Sequence, residues 1–186
     1  IVDKNNEFDC SISNLSDNIS LLAIQGPKAE LFCQNFSSDN LSELKNYSFI
    51  IGEFAGCEDI IISKTGYTGS GGYEIYIPNN KALKVWDALF SNKEYDLKPI
   101  GLAARDTLRI EMGYCLYGND INEKTSPLEA NLRWITKVET NFIGSNIIKT
   151  EFQKGLKRKL IGFKLLEKSI PRNGYEIYSL EKKIIG

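Results

Sequence analysis

Carboxylates, lysines or tyrosines must carry any acid–base chemistry in this chain, because its 186 residues include no histidine. Ser–His–Asp and Cys–His catalysis are therefore excluded within the segment, and so is every His-ligated metal site. The four cysteines, Cys10, Cys33, Cys57 and Cys115, lie far apart and form no C-x-x-C. Zinc clusters and redox pairs find no support in that spacing, and no metal is expected. The cysteines read as reduced, mostly buried small apolar residues of an intracellular protein.

Two stretches stand out for their chemistry. The first is Gly66-Tyr67-Thr68-Gly69-Ser70-Gly71-Gly72-Tyr73-Glu74. A phosphate-binding loop needs Gly-Lys-Ser/Thr and a following helix, because the helix N-terminus and backbone N–H groups hold the phosphates. Neither is present, and a strand follows instead. The loop reads as a connection between strands, where glycines allow positive φ and close approach to the backbone. An ordinary hairpin and a ligand-approach loop both fit that pattern.

The second stretch, residues 101–113, is a helix with no clean polar face: Leu102, Ala104, Leu108, Ile110 and Met112 point in several directions. A helix apolar most of the way round is expected to be buried. It nevertheless carries Arg105, Asp106, Arg109 and Glu111, and buried charges must be paired or bound. Arg105 and Arg109 repel at i, i+4 by about 0.2–0.5 kcal/mol. Both an acidic ligand and an internal network with Asp106, Glu111 or Glu129 remain open.

The elements that must position these stretches alternate in type. Strands are expected at residues 21–24, 47–54, 59–63 and 73–77; the last has Tyr73, Ile75 and Ile77 on one face, Glu74 and Tyr76 on the other. Pro27 suits the first turn of a helix. A second helix follows the fourth strand, capped by Asn79 or Asn80, with Leu83, Trp86, Leu89 and Phe90 at helical spacing. Further helices are expected at residues 101–112 and after Gly144. Strands should return at 160–166 and 175–178, beyond a basic connector at 154–159 that reads as solvated. Trp134 is read as a core residue, with the lining of a ligand cavity as the alternative. The class is α+β, with a domain boundary near residue 155.

Composition narrows the functional classes. With 42% apolar residues the chain can bury a sizeable core, and with a net charge of −1 it carries no large basic footprint, so no nucleic-acid partner is expected. No run of 18 apolar residues exists, so no membrane span is expected. The chain opens at Ile1 without Met and stops in the apolar run Ile184-Ile185-Gly186; the expectation is a middle portion of a longer protein.

Several of these stretches resemble one family. Residues 64–74, Lys64 through Glu74, are similar to the T-G-Y-T-G-E-x-G-F/Y-E signature of glycine cleavage T-proteins. Residues 101–111 resemble the family's G-L-G/A-A-R-D-x-L-R-L-E, and Leu116-Tyr117-Gly118-Asn119-Asp120 its L-Y-G-x-D/E. Residues 22–27, 126–130, 142–144 and 170–172 fit in order. Each motif is weak alone; together, in sequence and at matching spacing, they cover nearly the whole chain.

The resemblance implies a folate-binding aminomethyltransferase fold of mixed or antiparallel sheets with flanking helices over residues 1–153. Residues 154–186 would begin a C-terminal β-barrel-like domain. It also implies an activity: moving the methylene of the aminomethyl group on lipoylated H-protein to tetrahydrofolate, with release of ammonia. Glu74 matches the glutamate that recognises the pterin, whose adjacent N–H donors suit a carboxylate. Arg105 matches the folate-contacting arginine, and Tyr67 and Tyr114 stand where the family offers aromatic contacts to folate. The family's catalytic aspartate falls in a segment that should end just before Ile1, so no catalytic residue is assigned and the segment alone is expected to be inactive.

Two alternatives share parts of the pattern. The tetrahydrofolate domain of a sarcosine or dimethylglycine dehydrogenase resembles the glycine loop but generally lacks the A-R-D triplet present at Arg105-Asp106. A non-enzymatic folate-binding paralogue of iron–sulfur cluster assembly carries K-G-C-Y-x-G-Q-E; here Gly66 directly precedes Tyr67, so that cysteine is absent. The expected location is the bacterial cytoplasm, or the mitochondrial matrix in a eukaryote.

Overall fold

The computed structural model describes residues 9–186. It falls into two compact units, one ending at Cys115 and the other spanning Leu116–Gly186. The first unit is built on four strands, β1 (Ile19–Gln25), β2 (Phe49–Phe54), β3 (Cys57–Ser63) and β4 (Gly72–Pro78), with helices α1 (Ala29–Gln34), α2 (Asn79–Ser91) and α3 (Leu102–Glu111). The sheet order is β1-β4-β3-β2, antiparallel throughout.

Alternation along β4 decides how the sheet is covered. Tyr73, Ile75 and Ile77 are buried, and across the ladders they are joined by Ile24 of β1 and by Ile60 and Ile62 of β3. Ala29, Phe32 and Cys33 of α1 and Val85 and Leu89 of α2 close over that face to make the core. Burying a side chain of this size contributes about 1.5–3 kcal/mol, so this layer dominates the unit's stability. The opposite face carries Glu74 beside Ala23 and Ser63, and Tyr76 beside Leu21 and Ile61. It stays open, with Leu21, Phe49 and Ile51 exposed.

The β2–β3 hairpin closes on Ala55 and Gly56, both at positive φ (53° and 67°) between the paired Phe54 and Cys57. Two successive positive-φ residues match the right-handed twist of the flanking strands. The β3–β4 connection is the glycine loop.

Several expectations need correction. α2 turns Ala82, Val85 and Leu89 towards the sheet, leaving Leu83 and Trp86 exposed; its apolar residues form two stripes, and the i, i+4 pair Val85/Leu89 wins the contact. Neither Asn79 nor Asn80 caps it: no side chain bonds the first turn, Asn79 instead accepting from Ser20 Oγ and donating to Asp17 O. Cys33 and Cys57 are buried as expected, whereas Cys10 is exposed.

The second unit holds a 3₁₀ turn, Arg133–Ile135, and helix α4 (Ser145–Lys154), with a small cluster of Leu128, Val138 and Ile148. Trp134 is exposed rather than in a core. Residues 160–166 form no strand, and 175–178 contribute only the bridge Tyr178↔Ile184. A strand exists by pairing: residues 160–166 meet no neighbouring ladder among the described residues, and 175–178 pair only with the last residues, Ile177 donating to Gly186 O and accepting from Ile185 N. Arg158 of the basic connector reaches Glu129 at 3.0 Å and donates to Lys124 O at 2.8 Å. No helix among the described residues is long and apolar enough to cross a membrane.

Candidate functional site

The glycine loop and α3 lie about forty residues apart in sequence, yet the fold brings them together. Tyr67 leaves the loop and stacks on Tyr114, with ring centroids 5.7 Å apart and planes inclined by 20°. The Arg105 guanidinium sits over the Tyr67 ring, 4.7 Å from its centroid, a cation–π arrangement that favours arginine over lysine. The Tyr67 hydroxyl donates to Cys115 O. Met112 rests on the loop at Gly69, where a Cβ would lie 2.5 Å from its Cε. Three of the four residues singled out from the sequence thus form one group.

Glu74, the fourth, stands outside that stack. It projects from the open face of β4, and its Oε2 accepts from the Thr65 hydroxyl at the start of the loop. Oε1 has no protein donor among the described residues. An open cavity of about 190 Å³ runs along the loop, lined by Gln25, Tyr47, Lys64, Thr65, Gly69 and Tyr114 among others. Glu74 reaches its wall through Thr65, and Arg105 through the Tyr67–Tyr114 stack.

The two arginines of α3 part company. Arg109 is 3% exposed, and its Nε and Nη2 both lie 2.7 Å from Asp106 Oδ1, while Nη1 donates to Tyr114 O at 3.1 Å. Of the two readings open for these charges, Arg109 takes the internal pair. Arg105 is exposed and pairs with no carboxylate among the described residues. Glu129 belongs to Arg158, whose hydrogen bond holds its carboxyl below the ordinary value.

The expectation that α3 is buried does not hold. Leu102 is 82% exposed, and Ile110 and Met112 are exposed as well; Arg109 is its one buried residue. The helix meets the loop through its C-terminal turn, and among the described residues of the unit none covers Leu102 or Ile110, which stay exposed.

Behind the loop, Tyr73 donates to Leu41 O at 2.8 Å, and Lys64 pairs with Glu30 at 2.8 Å. Burial, reinforced by Glu30, pushes the Tyr73 phenol well above its ordinary value, and burial raises the Cys33 thiol to about 12. Both remain protonated at neutral pH and serve packing.

The GCVT N-terminal domain family matches residues 1–140. The chain belongs to that family. As a GCVT domain it is similar over its full length to the aminomethyltransferase of Flavobacterium psychrophilum, at 51% identity over 186 residues covering 52% of that protein. The aminomethyltransferase of Bacteroides fragilis is 48% identical over 184 residues, which are 97% of this chain and 51% of that protein. Among solved structures, the glycine cleavage system aminomethyltransferase T from Bartonella henselae superposes with a TM-score of 0.79 at 32% identity, covering 90% of this chain and 46% of that one. The four-stranded antiparallel sheet with flanking helices is therefore the GCVT fold. The chain spans about half the length of the curated relatives it matches.

Gln25, Thr65, Thr68 and Met112 also shape the site, and sequence reasoning assigned none of them a role. Gln25 lies within residues 22–27, matched as a motif. The available signal was a polar residue closing an apolar strand immediately before Gly26-Pro27.

Proposed function

We propose that this GCVT domain supplies part of the tetrahydrofolate-binding wall of an aminomethyltransferase acting in glycine cleavage. The whole protein would pass the methylene of the aminomethyl group on lipoylated H-protein to tetrahydrofolate and release ammonia, leaving 5,10-methylenetetrahydrofolate and dihydrolipoyl H-protein. The convergence of Arg105, Tyr67 and Tyr114 on the loop that begins at Thr65 and leads to Glu74 carries this reading.

Each group has a fitting task. Glu74 Oε1, and the lone pair of Oε2 left by Thr65, can accept from adjacent ring N–H and amino donors of a pterin. Tyr67 and Tyr114 offer flat apolar surface for an aromatic ring. Arg105, charged and exposed beside them, suits the carboxylates of the folate tail. No residue of this chain is assigned the chemical step.

The test is calorimetric titration of tetrahydrofolate into the full-length protein. Glu74→Ala and Arg105→Ala are each expected to weaken binding by about 1–3 kcal/mol, the range for a charged hydrogen-bonding group. Wild-type affinity in both variants removes these residues from the site.

A further inference from the structure

We propose that Gln25 is a positioning residue for tetrahydrofolate binding, setting the place of Glu74 by holding both its backbone and its carboxylate partner. This rests on the folate reading of Glu74 given above. Gln25 closes β1 and pairs with Gly72, which opens β4. Its single carboxamide serves four groups. Nε2 lies 3.2 Å from Ile24 O and Thr65 O and 3.3 Å from Tyr73 O, its two hydrogens shared among the three carbonyls, while Oε1 accepts from Thr68 Oγ1 at 3.2 Å. All acceptors lie on the nitrogen side and the donor on the oxygen side, so the amide has one orientation that satisfies the network.

Two of these partners bear on Glu74. Tyr73, whose carbonyl is held, directly precedes it in β4. Thr65, whose carbonyl is also held, donates its hydroxyl to Glu74 Oε2. Gln25 therefore fixes the carboxylate from the main chain and from the side chain together. A carboxylate recognising a planar heterocycle must be held within a fraction of an ångström, and residues behind it supply that rigidity.

The loop is built around the amide. A Cβ on Gly66 would lie 1.9 Å from Gln25 Oε1, and a Cβ on Gly72 2.9 Å from Nε2. Glycine at Gly66 leaves the space that the carboxamide fills. A simple loop cap would also use such bonds, but removing it would lower stability without a Glu74-dependent change in ligand affinity.

The experiment uses the full-length protein, with tetrahydrofolate affinity measured by calorimetry and melting followed in parallel. Gln25→Leu keeps the volume and removes the bonds; Kd is expected to rise about tenfold, the equivalent of one lost buried hydrogen bond. In a Glu74→Ala background the same substitution should change Kd less than about twofold, because Gln25 acts through Glu74. The KM for H-protein should not move in Gln25→Leu. Gly66→Ala, whose backbone conformation is open to any residue, pushes the amide aside without deleting it and should raise Kd in the same direction. It decides the matter if Gln25→Leu does not fold. A folded variant of either kind with wild-type Kd, or full additivity with Glu74→Ala, overturns the proposal. If Glu74→Ala weakens binding while the Gln25 and Gly66 variants do not, the folate reading stands and this inference falls. If Glu74→Ala itself binds like wild type, both fall.

Discussion

Gly71 and Gly72 are neighbours of the same type, yet alanine at each should have very different consequences. At Gly71 φ is +78° and a Cβ would meet nothing within 4 Å, so Gly71→Ala costs only the left-handed backbone penalty, about 1–2 kcal/mol. At Gly72 φ is +134° and the Cβ would sit 2.1 Å from Ile24 O, a backbone atom of the partner strand. The backbone penalty there is about 1–3 kcal/mol. Separating β1 from β4 to ordinary contact adds about 1–3 kcal/mol, the usual cost of overpacking. The sum, about 2–6 kcal/mol, exceeds the Gly71 figure at its centre by roughly 2–3 kcal/mol. Hydrogen exchange of the β1–β4 ladder amides reads this locally, without requiring the whole protein to unfold as one unit. Protection should fall about tenfold in Gly71→Ala and several hundredfold in Gly72→Ala, at roughly 1.4 kcal/mol per decade. Tetrahydrofolate affinity should drop in Gly72→Ala, since Glu74 lies two residues along the displaced strand, and should hold in Gly71→Ala. Equal loss of protection in the two variants would refute the reasoning, because it would mean that the approach of Ile24 O does not matter.

Two other predictions follow from buried groups. Burial holds the Cys33 thiol protonated to about 12, against an ordinary value of 9.0; the unfolded chain sheds that proton first, so stability should decline as pH rises from about 9 towards 12. Denaturant titrations across that range should give a shallower decline in Cys33→Ala, and at pH 8 a thiol reagent should label exposed Cys10 and spare Cys33. Arg109→Met should destabilise by about 2–3 kcal/mol. That lies below the roughly 3–5 typical of a broken buried pair, because the Asp106 side chain is 45% exposed and regains water; a loss under 0.5 kcal/mol in urea unfolding would contradict the pairing.

Much of the fold was legible because it rests on period and punctuation. β4 alternates cleanly, and its three buried residues are the ones the pattern picks out. The glycine loop and the helix after Gly144 announce themselves by residue type. What failed did so for tertiary reasons. Two apolar stripes on α2 cannot be ranked without knowing where the sheet lies. Residues 160–166 have strand composition, but a strand is made by its partner. Gln25 was invisible as a site residue because a glutamine at a strand end has no pattern; its role comes from four groups scattered over residues 24–73.

The α3 arginines mark the limit most sharply. Four residues apart on one helix, Arg105 and Arg109 have the same charge and the same reach, and the sequence offers both an ion pair and a ligand for each. The turn after the helix separates them. Gly113, at φ +71°, folds the chain back so that Tyr114 N donates to Arg109 O while Arg109 donates to Tyr114 O. That reciprocal closure buries Arg109 against Asp106 and swings the Tyr114 ring onto Tyr67, one helical turn nearer the N-terminus, where Arg105 lies. One arginine is thereby consumed in building the stack on which the other is displayed. Exchanging either for lysine should accordingly have distinct effects. Arg109→Lys loses the fork that ties the turn, whereas Arg105→Lys keeps its charge and loses mainly its stacking over Tyr67.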